Sequence, residues 1–196
     1  MKIVMLASGG LDSALVACLA KEMGHQQLPL FIDYGQRARD RELAACIEAM
    51  KRLSLPEPAI ANLSGFGSLI RSGLTDAKLR IYEDAFTPGR NMLFLLAAAA
   101  YAQQNNADAI AIGLLNESTS IFPDQTSAFL KSAEATLRLA VDRPVQILAP
   151  LSAFVKADVV ALAAQKGIDR TYSCHSGEAV PCEICIACRE FQFTEQ

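Results

Sequence analysis

The hexapeptide Ser8-Gly9-Gly10-Leu11-Asp12-Ser13 joins an apolar run, Lys2 to Ala7, to a helix-forming run that reaches Met23, so the chain opens as strand, glycine turn and helix. Adjacent glycines let the backbone turn tightly and approach a ligand closely. The turn then aims successive N–H groups and a helix N-terminus at one point, which suits an anion such as a phosphate. Ser8 and Ser13 flank the glycines and can add hydroxyl donors, while the lysine of a Walker A loop is absent. The plainer alternative is an ordinary capped helix behind a glycine turn, with Asp12 and Ser13 as its N-cap and first-turn residues.

Strand-like and helix-like segments alternate beyond this point. Leu28 to Asp33 reads as a strand ending in the polar set Asp33-Tyr34-Gly35-Gln36, and a helix from Ala38 to Leu53 carries Leu43, Ile47 and Met50 at helical spacing. Pro56, Pro58, Gly65, Gly67 and Gly73 interrupt residues 54–86, where irregular or mobile structure is expected. There follow an alanine-rich helix from Arg90 to Gln104, a strand from Asp108 to Gly113, a helix from Asp124 to Leu139, a strand from Val145 to Ala149 and a helix from Lys156 to Lys166. Parallel strands need helix-length crossovers, so the pattern predicts an α/β domain with a parallel sheet and helices on both faces. Ligands of such sheets gather beyond the carboxyl ends of the strands. Ser8 to Ser13, Asp33 to Gln36 and Gly113 to Asn116 all follow strands, so one sheet edge should collect them.

Composition narrows the function further. A chain of 196 residues, 52% hydrophobic and 20% charged, suits one domain with a real core. Its net charge of −3 offers no broad surface to a nucleic acid. Met92 to Ala102 is apolar but short of the roughly 20 residues that span a bilayer. The chain enters its first strand without a signal-like leader, so a cytoplasmic location is expected.

Cys174, Cys182, Cys185 and Cys188 crowd the tail with C-x7-C-x2-C-x2-C spacing, whereas Cys18 and Cys46 sit singly in helix-like segments and read as small core residues. Four thiolates from one short stretch suit a tetrahedral zinc ion, and a site filled by protein ligands would fold the tail rather than perform chemistry. An iron–sulfur cluster or a redox pair is the competing reading. A zinc-containing nucleic-acid module would need basic residues around the cysteines. Arg189 is the only one from Cys174 onward, against Glu178, Glu183, Glu190 and Glu195.

The loop Ser-Gly-Gly-x-Asp-Ser resembles that of the PP-loop ATP pyrophosphatase superfamily. Asp33-Tyr34-Gly35-Gln36-Arg37, Pro88-Gly89-Arg90-Asn91, Pro123-Asp124, Lys156-Ala157-Asp158 and Ser173-Cys174 through Pro181-Cys182 to Cys188 follow in order. On these segments nearly the whole chain is similar to the 7-cyano-7-deazaguanine synthase (QueC) family. That resemblance implies an adenine nucleotide alpha hydrolase-like, Rossmann-like domain at residues 1–170, with a zinc-binding tail at 171–196 packed on it. It implies a homodimeric carbon–nitrogen ligase that splits ATP between its α and β phosphates with Mg2+, joins 7-carboxy-7-deazaguanine to AMP, and turns the adenylate with ammonia into an amide and then a nitrile. Ser8, Asp12, Ser13, Arg90 and Lys156 would carry catalysis. Ala7, Gly9, Gly10, Leu11, Asp33, Tyr34, Gly35, Gln36, Asn91 and Gly113 would complete the nucleotide site. Gln36, Asn91, Ser120, Phe122, Pro123 and Asp124 would meet the deazapurine acid.

Three places depart from the family pattern. Ser118 to Thr126 stands where relatives carry Asp-Tyr-Ser-Gly-Tyr-Pro-Asp-Cys-Arg, Ala38 replaces a histidine, and Glu183 replaces a glycine. The changed acceptor loop leaves a second reading open, in which a deazaguanine-type acid is conjugated to another amine, including one on a protein acceptor.

Overall fold

The computed structural model describes residues 1–192. In chain order the elements are β1 (Lys2–Leu6), α1 (Leu11–Glu22), β2 (Gln26–Asp33), α2 (Arg39–Arg52), β3 (Ala59–Asn62), α3 (Ser64–Leu69), α4 (Arg90–Gln104), β4 (Ala109–Ala111), α5 (Ser127–Ala140), β5 (Gln146–Leu148), α6 (Lys156–Gln165) and α7 (Ile186–Gln192), with single 3-10 turns at Glu117–Thr119 and Pro123–Gln125. The five strands form one sheet in the order β3-β2-β1-β4-β5, every pair parallel.

Strand periodicity of two divides the core between the sheet faces. Ile3, Met5, Phe31, Ala109 and Ala111 pack with α1, α2 and α6, whereas Val4, Leu6, Leu30, Ile32 and Ile110 pack with α4 and α5. Leu95, Ala98, Ala99 and Ala102 of α4 are fully buried, and these mostly small side chains let the helix lie close on β1 and β4. The α/β architecture therefore agrees with the reading of the chain. β1 is central, with the chain crossing to β2 on one side and β4 on the other. The loops after β1 and β4 part there and open a crevice at the carboxyl edge, the usual ligand position in such sheets.

Four local expectations need correction. Residues 54–86 are not irregular throughout: they contain β3 and α3, and a four-residue edge strand whose residues are half-buried or exposed gives too weak an alternation to read. The stripe of α2 on the core runs through Cys46, Ala49 and Met50, and Ile47 is exposed. The helix expected from Asp124 begins at Ser127, because the Thr126 hydroxyl caps it by accepting from the Phe129 amide at 3.2 Å and residues 123–125 form a separate turn. The tail carries an unexpected helix, α7, and the last four residues of the 171–196 segment lie outside the described residues.

Candidate active site

The turn after β1 is built from its own hydroxyls and amides. Ser13 Oγ accepts from the Ser8 amide at 3.2 Å and donates to the Gly10 carbonyl at 3.0 Å, while Ser8 Oγ accepts from the Gly10 amide at 3.3 Å and lies 3.1 Å from Ser13 Oγ. Gly9 sits at φ +83°, and a Cβ there would lie 2.2 Å from the Glu42 carbonyl oxygen. Only glycine fits. The N-cap of α1 is Gly10 and no side chain caps the helix, so Asp12 and Ser13 are first-turn residues and not the cap. Among the described residues, the Gly9 and Asp12 amides have no hydrogen-bond partner.

This turn forms one wall of a cavity of about 280 Å³ at the carboxyl edge. Ala7, Ser8, Gly10, Leu11, Asp12 and Ser13 line it from β1 and α1; Tyr34 and Gln36 from the loop after β2; Arg90 and Asn91 from α4; and Gly113, Phe122 and Lys156 from the segments beyond. Gly9, Asp33, Gly35, Ser120, Pro123 and Asp124 do not line it. Asp33 instead pairs with Arg39 at 3.1 Å and accepts from the Gly35 amide at 3.1 Å. Asp124 is turned toward α4: its carboxylate accepts from the Asn91 amide at 3.3 Å and its carbonyl from Asn91 Nδ2 at 2.8 Å. Ser120 Oγ donates to the Gln125 carbonyl at 3.4 Å, so these loop residues hold Phe122 on the wall from behind. The Phe122 ring packs against Phe86 with centroids 5.1 Å apart and planes tilted by 32°.

Two cations face the turn. Lys156 Nζ bonds both oxygens of Asp12, at 2.8 and 3.0 Å, reaches Glu190 at 3.3 Å, and lies 4.8 Å from the Phe191 ring centroid. Arg90 donates to the Tyr34 hydroxyl at 3.5 Å and lies 5.8 Å from that ring's centroid, while its Nε is buried without a partner among the described residues. An unpaired buried donor of this kind is costly unless a ligand completes it.

Glu42, Ser173, His175 and Glu190 also line the cavity and had no assigned role in the sequence reading. Glu42 follows Gln36 by six residues and accepts from Gln36 Nε2 at 3.0 Å. Burial raises its carboxyl to about 7, against the opposing pull of Gln36 and of the Arg90 charge. Burial lowers the His175 imidazole to about 4, and Arg90 and Lys156 push the same way. Burial also raises Glu190. A carboxylate on a helix looks like surface in sequence, and only packing turns it inward.

The tail supplies part of this wall because it docks on the turn. The Tyr172 amide donates to the Gly9 carbonyl at 2.9 Å, and Ser173 Oγ accepts from the Leu11 amide at 3.5 Å. The sulfurs of Cys174, Cys182, Cys185 and Cys188 lie within 4.8 Å of one another. The Cys182, Cys185 and Cys188 amides donate in turn to the sulfurs of Cys174, Cys182 and Cys185 at 3.3 to 3.4 Å, and the His175 amide donates to Cys185 at 3.5 Å. Amides aimed at sulfur stabilise thiolates, so the four residues fit a metal ion. Cys18 and Cys46 are buried in helices α1 and α2, as expected of core residues. No helix among the described residues is long and apolar enough to cross a membrane.

Solved structures share the fold. U34-tRNA thiolase NcsA from Methanococcus maripaludis superposes with a TM-score of 0.58 at 15% identity, covering 100% of this chain and 64% of that one. NMN synthetase from Francisella tularensis superposes at 0.55 and 17%, covering 99% and 76%. Among sequences, proteins named 7-cyano-7-deazaguanine synthase from Campylobacter concisus (strain 13826) and Sulfurovum sp. (strain NBC37-1) are 34% and 32% identical, each over 96% of this chain and 90% of the relative. The profile of the family described as queuosine biosynthesis protein QueC matches residues 2–193. The chain thus belongs to the QueC family.

Proposed function

We propose that this protein is an ATP-dependent carbon–nitrogen ligase that converts 7-carboxy-7-deazaguanine to its nitrile. The observation that carries the reading is identity above 30%, over nearly the whole chain, to relatives named for that product. A carboxylate resists attack by ammonia because its charge repels the nucleophile and its leaving group would be an oxide. Transfer to AMP removes both obstacles, and pyrophosphate departs. The unpartnered Asp12 amide and the Ser8 and Ser13 hydroxyls would hold the leaving phosphates, with Gly9 shaping the turn behind them and Arg90 and Lys156 balancing their charge. Lys156 must then exchange Asp12 for phosphate, which frees the Asp12 carboxylate for Mg2+. When bound, Mg2+ neutralises phosphate charge.

In this reading Tyr34 and Gln36 complete the nucleotide side, and the Phe122 ring with Asn91 meets the deazapurine. Ser120, Pro123 and Asp124 shape the loop behind it, as do Asp33 and Gly35 for the turn after β2. Zn2+ held by the four tail cysteines would fix the wall that Ser173 and Glu190 line. A homodimer and a cytoplasmic location belong to the same reading.

The test measures pyrophosphate release with 7-carboxy-7-deazaguanine, ATP and ammonium, with product mass read at amide and nitrile. A nitrile bears the proposal out. Turnover only on addition of an amine-bearing protein would replace it with conjugation, and no acid-dependent pyrophosphate would end it.

A further inference from the structure

Three carboxylates line the cavity, and two of them, Asp12 and Glu190, share the ammonium group of Lys156. The third, Glu42, has no ion pair within 4 Å among the described residues. Its hydrogen-bond partner is the neutral amide of Gln36, which is itself held by the Ile32 carbonyl at 3.2 Å and by the Tyr34 amide at 2.9 Å. The Glu42 carbonyl abuts Gly9, so the residue adjoins the phosphate-binding turn. Resting on the ligase reading above, we propose that Glu42 is the general base that takes the proton from the attacking nitrogen.

The chemistry requires such a group. When ammonia adds to the acyl adenylate, an N–C bond forms, the acyl C–O bond to AMP breaks with its electron pair leaving on AMP, and a proton must leave nitrogen. Dehydration of the amide repeats the demand: once a second ATP has placed AMP on the amide oxygen, loss of N–H to a base and of AMP from carbon gives the nitrile. Arg90 and Lys156 are cations, Glu190 is tied to Lys156, and Asp12, once Lys156 turns to phosphate, would be taken by Mg2+. Glu42 alone among these carboxylates is free to accept. The groups facing it are Arg90 from α4, Tyr34 and Gln36 from the loop after β2, and Cys46 one turn along α2. Burial, opposed by Arg90 and Gln36, leaves its carboxyl near neutrality, where a base can both take and release a proton.

The experiment compares the unsubstituted protein with Glu42→Gln and Glu42→Asp in three assays: acid-dependent ATP–pyrophosphate exchange, amide formation from ammonium, and hydroxamate formation from hydroxylamine, whose adduct carries a more acidic N–H than that of ammonia and so depends less on a base. In Glu42→Gln the ratio of amide formation to exchange should fall about 10²–10⁴-fold. Hydroxamate formation should fall far less, and Glu42→Asp should recover part of the ratio. At fixed free ammonia, amide formation by the unsubstituted protein should rise with pH through about 7, and the Glu42→Gln rate should be flat. An unchanged ratio, or a raised KM for the acid with the ratio unchanged, overturns the assignment and makes Glu42 a binding residue. Absence of exchange in the unsubstituted protein overturns the ligase reading itself, and the base with it.

Discussion

Gly9 is where one residue decides the site. A Gly9→Ala substitution must place a side chain in left-handed backbone, at about 1–2 kcal/mol, and drive Cβ against the Glu42 carbonyl, which is backbone and cannot swing aside. A melting temperature lower by at least about 4 °C, together with lost nucleotide binding, is the expected result. Lys156→Met leaves the Asp12 and Glu190 carboxylates facing each other without a cation. Pyrophosphate exchange should drop about 10²–10³-fold, as when one transition-state donor is removed elsewhere. Glu42 also affects stability. Its folded-state carboxyl lies near 7 against 4.5 when free, so the folded protein binds the extra proton and stability falls as pH rises from about 4.5 to about 7. Glu42→Gln removes that loss and should therefore be more stable than the parent at pH 8, by on the order of 1–3 kcal/mol, and melt higher there. Thermal melts at pH 5 and pH 8 would show the difference confined to the higher pH.

At the scale of elements, α7 is seven residues long and far too short to be helical alone. The cysteine cluster holds its start, and Ile81 packs with Cys174, Cys185 and Ala187 in a small core of its own. Arg189 lies 3.8 Å from the Tyr82 ring centroid, joining the tail to the segment before α4. Chelation should therefore free residues 172–192 and the turns around Tyr82 together, read as rapid hydrogen exchange in both, with loss of adenylation because Ser173 and Glu190 leave the wall. Arg189→Ala should loosen only the Tyr82 contact, costing about 0.5–1 kcal/mol and raising proteolysis near residues 78–86 without releasing metal. The same elements mark where sequence reading succeeded. α1, α4 and β1 announce themselves through long apolar runs bounded by glycine or a polar loop. β3 and α7 are brief, lack an apolar stripe and exist because β2 and the cysteine cluster receive them.

For the whole molecule, the order β3-β2-β1-β4-β5 sets the glycine turn after β1 at the centre of the sheet edge, between the loops after β2 and β4. Five parallel strands leave their last residues pointing one way, so Ser8, Gln36 and Gly113 share a cavity although far apart in the chain. The sequence by itself determined the alternation of elements, the glycine turn and the cysteine spacing, because these depend on local backbone freedom, hydrophobic period and ligand reach. It also carried the family. Only the tertiary structure decided that Lys156 meets Asp12, that Asp124 braces Asn91 and stays off the cavity wall, and that Glu42 and Glu190 face inward. Those are contacts between separate elements, whose partners are chosen by packing and charge across the fold and leave no periodic trace along the chain.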